Sequence, residues 1–140
     1  MTAMTSVSDV FMRVHEIFNT GDQQQIDTLF WPSSDLLVIG SDPQEWWEGE
    51  APVRHVLRTQ LNEMRAGGIQ VQPGPRQRIV ERGDTGWGAE DVHLVMPDGQ
   101  VVPARLTLVC VRDGEEWRVA HWHLSFGVGN ETALGQDLTM

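Results

Sequence analysis

The sequence predicts one α+β domain, with helices gathered in its N-terminal half and an antiparallel meander in its C-terminal half. Three observations carry that reading. Apolar residues recur at helical spacing as far as Gly67-Gly68. Beyond Gly68 the apolar period drops to two. Asp98-Gly99 and Asp113-Gly114 then separate alternating segments, and Asp-Gly supplies the positive φ that tight hairpins need. With 140 residues the chain can bury a core without disulfide support.

The elements follow in order. Val10, Phe11, Val14, Ile17 and Phe18 make the first helical stripe, with Ser8 as its N-cap and Gly21 as its left-handed end. Asp22 caps a short second helix carrying Ile26, Leu29 and Phe30, which Pro32 terminates. The apolar run Leu36 to Ile39 predicts a strand buried on both faces, and the loop Gly40 to Gly49 holds the pair Trp46-Trp47. Pro52 opens a third helix with Val53, Val56, Leu57, Leu61 and Met64 on one side. Five strands are expected near 69–71, 77–81, 87–96, 101–112 and 117–126. The domain is placed at residues 8–126, with 1–7 and 127–140 as flexible ends.

Ten arginines, no lysine and twenty carboxylates give a formal charge of -10, so neither nucleic acid nor an anionic membrane is expected as a partner. The first residues lack the basic and apolar regions of an export signal, and a cytoplasmic location is the expectation. Cys110, the single cysteine, sits among apolar residues in mid-strand as a buried small hydrophobe rather than a nucleophile.

Turn position assigns sheet faces, because directly opposed residues in a hairpin share a side. Two-residue loops at both Asp-Gly turns put Trp87, Asp91, His93, Leu106, Trp117, His121, His123 and Ser125 on one face, read as the helix-covered side with a pocket at its ionisable end. The other face then carries Glu90, Val109, Val111, Trp122, Leu124 and Phe126 and reads as an interface between two copies. A single β-bulge would exchange part of this assignment.

The order helix, helix, strand, helix and long meander carries three sequence elements. They are Phe18-Asn19-Thr20-Gly21-Asp22, Asp42-Pro43-Gln44-Glu45-Trp46-Trp47-Glu48-Gly49, and Trp117-Arg118-Val119 leading to His121-Trp122-His123-Leu124-Ser125. Together they resemble the SnoaL-like branch of the nuclear-transport-factor-2-like (NTF2-like) superfamily. The resemblance implies a cystatin-like cone, with three N-terminal helices on a strongly bent, mostly antiparallel sheet of about six strands. It also implies a pocket between them and a homodimer through the outer sheet face. Functions in the superfamily range from polyketide cyclases and ketosteroid-type isomerases to dehydratases and non-catalytic association domains, so fold alone selects no chemistry. Those enzymes use a pocket aspartate or histidine as base and a neutral acid or tyrosine to hold the enolate. This chain has no tyrosine, and Ile39-Gly40, where the isomerase base falls, cannot take a proton.

Two functional expectations therefore stand side by side. One is a cofactor-independent isomerase, cyclase or lyase acting on a small apolar carbonyl compound, with His121 or His123 as base and Asp91 as orienting partner. The other is a non-catalytic ligand-binding or association domain. In both, His93, Trp46, Trp47, Trp87, Leu106 and Ser125 line the pocket. A metal held by His121-x-His123 with Asp91 or His93 is the third reading, and the expectation is that no metal or other cofactor is used. The homodimer is expected through Trp122, Leu124, Phe126, Val109 and Val111.

Overall fold

A computed structural model of the protein describes residues 2–138. Its elements run α1 (Val7–Thr20), α2 (Gln24–Leu29), β1 (Leu37–Ile39), β2 (Trp46–Glu48), α3 (Glu50–Ala66), β3 (Gln70–Arg82), β4 (Thr85–Val95), β5 (Val101–Asp113), β6 (Glu116–Phe126) and α4 (Asn130–Leu134). One six-stranded sheet has the order β2-β1-β6-β5-β4-β3. It is mixed, because β1 lies parallel to β6 while the other pairs are antiparallel.

The helix ends follow local chemistry. Ser6, not Ser8, caps α1, its hydroxyl accepting from the Asp9 N–H at 3.1 Å, and Gly21 closes the helix at φ 73°. Asp22 accepts from the Gln24 N–H at 3.1 Å, and Glu50 stands in the first turn of α3, where a carboxylate favours the helix dipole. Two glycines of β4 fix how closely α1 lies on the sheet. A Cβ on Gly86 would stand 2.5 Å from Val7 Cγ2, and one on Gly88 would stand 2.7 Å from the Phe11 ring. Four helical residues rise about 6 Å and two strand residues about 6.6 Å, so the two elements stay in step for several turns. Val7 sits over Gly86, Phe11 over Gly88 and, one step on, His15 meets Glu90.

The core fills the space under α1 and α3. Phe11, Ile17, Ile26, Leu29, Phe30, Leu61, Leu108 and Trp117 are all almost fully buried. Trp122 packs on Phe18 and Phe30 with ring centroids 6.1 and 6.4 Å away.

Several expectations need correction. Among the described residues there are four helices, two of them long, and the sheet is not strongly curled. Trp46-Trp47 belongs to a short strand, and the two strands expected at 69–71 and 77–81 are one strand with a register shift between Pro73 and Gln77. Only Val38 of β1 is fully buried. Within residues 1–7, Met4 lies in the core and its carbonyl accepts from the Trp117 N–H at 2.8 Å. Beyond β6 the chain forms the exposed α4. Residues 1, 139 and 140 of the expected loose ends lie outside the described residues.

The sheet faces are the largest correction, and two local events cause it. Met96 and Gln100 close the first hairpin, so its loop is the three residues Pro97-Asp98-Gly99 and every pairing between β4 and β5 shifts by one. In the second hairpin the register slips between Val109 and Cys110, and Ala120 is the extra residue of a bulge in β6. Glu90, Val92, Leu94, Leu106, Trp122, Leu124 and Phe126 thereby face the helices. Trp87, Asp91, His93, Val109, Val111, His121, His123 and Ser125 share the opposite, helix-free face.

Candidate functional site

A cavity of about 280 Å³ lies between the inner face of the sheet and helices α1 and α3. Its walls are mostly apolar. Val14 and Phe18 come from α1, Leu57 and Met64 from α3, and Val92, Leu106, Trp122 and Leu124 from the sheet, with Trp47 and Phe126 completing them. Cavities of this size and lining suit a small ligand.

Two polar groups interrupt the wall deep inside. His15 Nε2 lies 2.6 Å from Glu90 Oε1, and the other oxygen of that carboxylate accepts from Gln77 Nε2 at 3.0 Å. The Glu90 side chain is 3% exposed and that of His15 17%. A carboxylate can only accept, so Nε2 is the donating nitrogen and the neutral ring keeps its lone pair on Nδ1. His15 Nδ1 is buried and has no hydrogen-bond partner. Buried polar atoms are nearly always paired, so an orphan calls for an explanation such as a bound water, an ion or a catalytic role.

A separate polar cluster stands at Gly40–Glu45. Glu45 Oε1 accepts from the Asp42 N–H at 2.8 Å, and Oε2 accepts from the Gln60 side chain. Gly40 leaves room for that carboxylate, since a Cβ there would stand 2.8 Å from Glu45 Oε1. Ser41, Gln60 and Glu63 also border the cavity.

Neither His15 nor Glu90 was singled out from the sequence as part of a site. Glu90 was expected on the face read as an interface between two copies. A signal for His15 was available, because Phe11, His15 and Phe18 lie on one side of a helix at spacings of four and three. For Glu90 the clue was Pro97 ahead of Asp98-Gly99, which lengthens the turn by one and turns Glu90 inward.

Among the pocket residues expected from sequence, Trp47 and Leu106 line the cavity. Trp46 is 58% and Trp87 41% exposed, and His93 and Ser125 lie on the helix-free face. The three residues expected to carry catalysis are there as well. His121 donates from Nδ1 to the Leu37 carbonyl at 3.0 Å, and its ring centroid lies 6.5 Å from that of exposed His123. Asp91 sits in another row, opposite Arg105, and is gripped by Arg76 through Nε at 2.7 Å, Nη2 at 3.0 Å and the backbone N–H at 3.1 Å. Those hydrogen bonds, chiefly from the guanidinium, hold the Asp91 carboxyl below its ordinary 3.8. Asp91 thus closes the irregularity in β3 instead of orienting a histidine. Among the described residues, no group of three or more His, Cys, Asp or Glu gathers to hold a metal ion. Burial, helped by the nearby charge of Glu81, pushes the Cys110 thiol up to about 12. Of the residues expected at a dimer interface, Trp122, Leu124 and Phe126 line the cavity, whereas Val109 and Val111 keep an outward position. No described helix is long and apolar enough to cross a membrane.

Comparison with known proteins adds the family. The model of the SnoaL-like domain matches residues 7–129. No curated protein matches. Among solved structures, an NTF2-like protein of unknown function from Pseudomonas putida KT2440 superposes with a TM-score of 0.76 at 17% identity, covering 94% of this chain and 90% of its own. A candidate dehydratase of the NTF2-like family from Streptomyces avermitilis gives 0.74 at 14% identity over 88% and 94%. A candidate ketosteroid isomerase from Shewanella frigidimarina gives 0.68 at 13% identity over 84% and 92%. At such identities the likeness is one of fold, the α+β architecture called NTF2-like or cystatin-like.

Proposed function

Because the chain belongs to the SnoaL-like domain family, whose fold encloses a pocket, we propose that its cavity binds a small, largely apolar carbonyl compound. We further propose that His15 and Glu90 there form an acid–base pair for isomerisation or elimination. The observation that carries this reading is the buried His15–Glu90 contact at 2.6 Å with the opposite ring nitrogen left unpartnered. A base that abstracts a proton next to a carbonyl needs a pKa near working pH and a fixed orientation. An imidazole meets the first need, and a carboxylate bonded to its far nitrogen meets the second. Glu90 would also stabilise the imidazolium formed when His15 takes the proton. The apolar wall offers few groups to compete for these hydrogen bonds. That one superposing structure is a candidate dehydratase and another a candidate ketosteroid isomerase agrees with this chemistry.

The test is α-proton exchange of 2-tetralone in deuterated buffer, followed by NMR. The protein should raise the rate above the buffer background, and His15→Ala should remove about 100-fold or more of that increment, in the range usual for a general base. Glu90→Gln should remove less, because the ring is still held. No acceleration by the folded wild type would leave the cavity as a binding site without this chemistry.

We also propose a homodimer formed through the helix-free face, where Trp87 and Val109 stand in neighbouring positions beside Val80. Large apolar groups on an otherwise uncovered sheet face favour association.

A further inference from the structure

The charges around the cavity are of one sign. Among the described residues its lining includes three glutamates, Glu45, Glu63 and Glu90, and no arginine or lysine. All ten arginines of the chain lie elsewhere, and Arg65, the one nearest in sequence to Glu63, donates to the Asn19 carbonyl at 3.0 Å. Of the three, Glu90 is already paired with His15. Glu63 is exposed on α3. Glu45 is half-buried and held in place by the Asp42 N–H, by Gln60 and by the space over Gly40, so it cannot easily swing aside when a ligand enters.

From this we infer that Glu45 is a specificity residue that restricts the cavity to ligands without a carboxylate or phosphate, turning away the acid that corresponds to an accepted neutral compound. The inference rests on the cavity being the ligand site proposed above and narrows its substrate class to uncharged carbonyl and hydroxyl compounds. A ligand anion there would lose its hydration, find no arginine or lysine to replace it, the one basic side chain, His15, being already engaged by Glu90, and lie near a fixed carboxylate. Discrimination of this kind comes from a repulsive element rather than from an extra attraction. An uncharged ligand meets only the apolar wall and the hydrogen-bonding groups, and its affinity does not depend on the charge of Glu45.

The experiment compares ligands of one skeleton by titration calorimetry at pH 7.5, 2-tetralol as the neutral member and tetralin-2-carboxylate as the anion. Wild type should bind the carboxylate at least about 30-fold more weakly than the alcohol. Glu45→Gln keeps the shape of the side chain and should recover about fivefold or more of carboxylate affinity while leaving 2-tetralol within twofold. Glu115→Gln, in the exposed turn between β5 and β6, makes the same change in net charge and should recover nothing. Equal affinities in the wild type, an unchanged carboxylate in Glu45→Gln, or the same recovery in Glu115→Gln would each overturn the inference. Charge selectivity without catalysed exchange of 2-tetralone supports it and removes only the acid–base reading, whereas exchange without selectivity does the reverse. If 2-tetralol does not bind, both are overturned.

Discussion

At Asp91 three hydrogen bonds from one arginine hold a carboxylate against a break in β3, and Gly74 makes the approach possible, since a Cβ there would stand 2.6 Å from Asp91 Cβ. The Arg76 guanidinium keeps the Asp91 carboxyl charged below its ordinary 3.8. A depressed folded-state value means that the pair contributes stability at neutral pH and loses it as the pH falls below 3.8 through the folded value. Thermal midpoints measured from pH 7 down to about pH 2 should therefore show Arg76→Ala below wild type at neutral pH, with the gap closing in acid. The Arg76 side chain is 79% exposed, so the gap should also narrow in salt. A gap that stays constant across the range would assign Arg76 a packing role instead. The aspartate could be singled out from the sequence as ionisable, although turn arithmetic set it on the helix-covered face and the structure sets it on the opposite one. Its true partner could not, because nothing local to Asp91 announces that the chain at Gly74 to Arg76 departs from regular pairing.

Among the elements, α1 and β4 show what periodicity reveals and what it hides. The stripe of α1, the glycine that ends it, the apolar side of α3 and the long meander were all legible, because each depends on spacing along one segment. The side of β4 that meets α1 was not. Trp87 stands between Gly86 and Gly88, and the large residue looks like the buried one. The small ones are buried, because the helix lies on them. Parity then failed for a related reason, since Asp-Gly serves two-residue and three-residue loops alike and an odd loop, like the bulge at Ala120, reverses the faces. Gly88→Ala tests the close approach. The added carbon would meet the Phe11 ring and the Arg78 carbonyl oxygen at 2.9 Å, which is backbone and yields little. Urea unfolding should show a loss of about 1–3 kcal/mol, the usual range for overpacking. Exchange activity should fall with it, because lifting α1 separates His15 from Glu90. A neutral substitution would mean that α1 shifts freely over the strand.

The whole molecule has two sheet surfaces with different demands, one enclosing the cavity beneath the helices and one left uncovered. Sedimentation equilibrium at micromolar concentration should give about twice 15.7 kDa for the wild type, and Trp87→Asp should yield a folded monomer. Trp122→Asp should instead unfold the chain, because Trp122 is 5% exposed and packed between Phe18 and Phe30. A wild type that sediments as a monomer would remove the proposed pairing. Both surfaces depend on Ala120. In β6, residues beyond the bulge alternate in the opposite sense to those before it, so Trp122 and Leu124 are indoors while His121 and His123 are outdoors. Deletion of the Ala120 codon, with pairing kept from Val119 onward, would shift each later side chain by one place. The histidines would enter the cavity, and the tryptophan would move to the uncovered side. A lineage carrying this fold could thus exchange its binding wall and its outer surface in one mutational event, reaching a new interior chemistry without passing through a series of point substitutions.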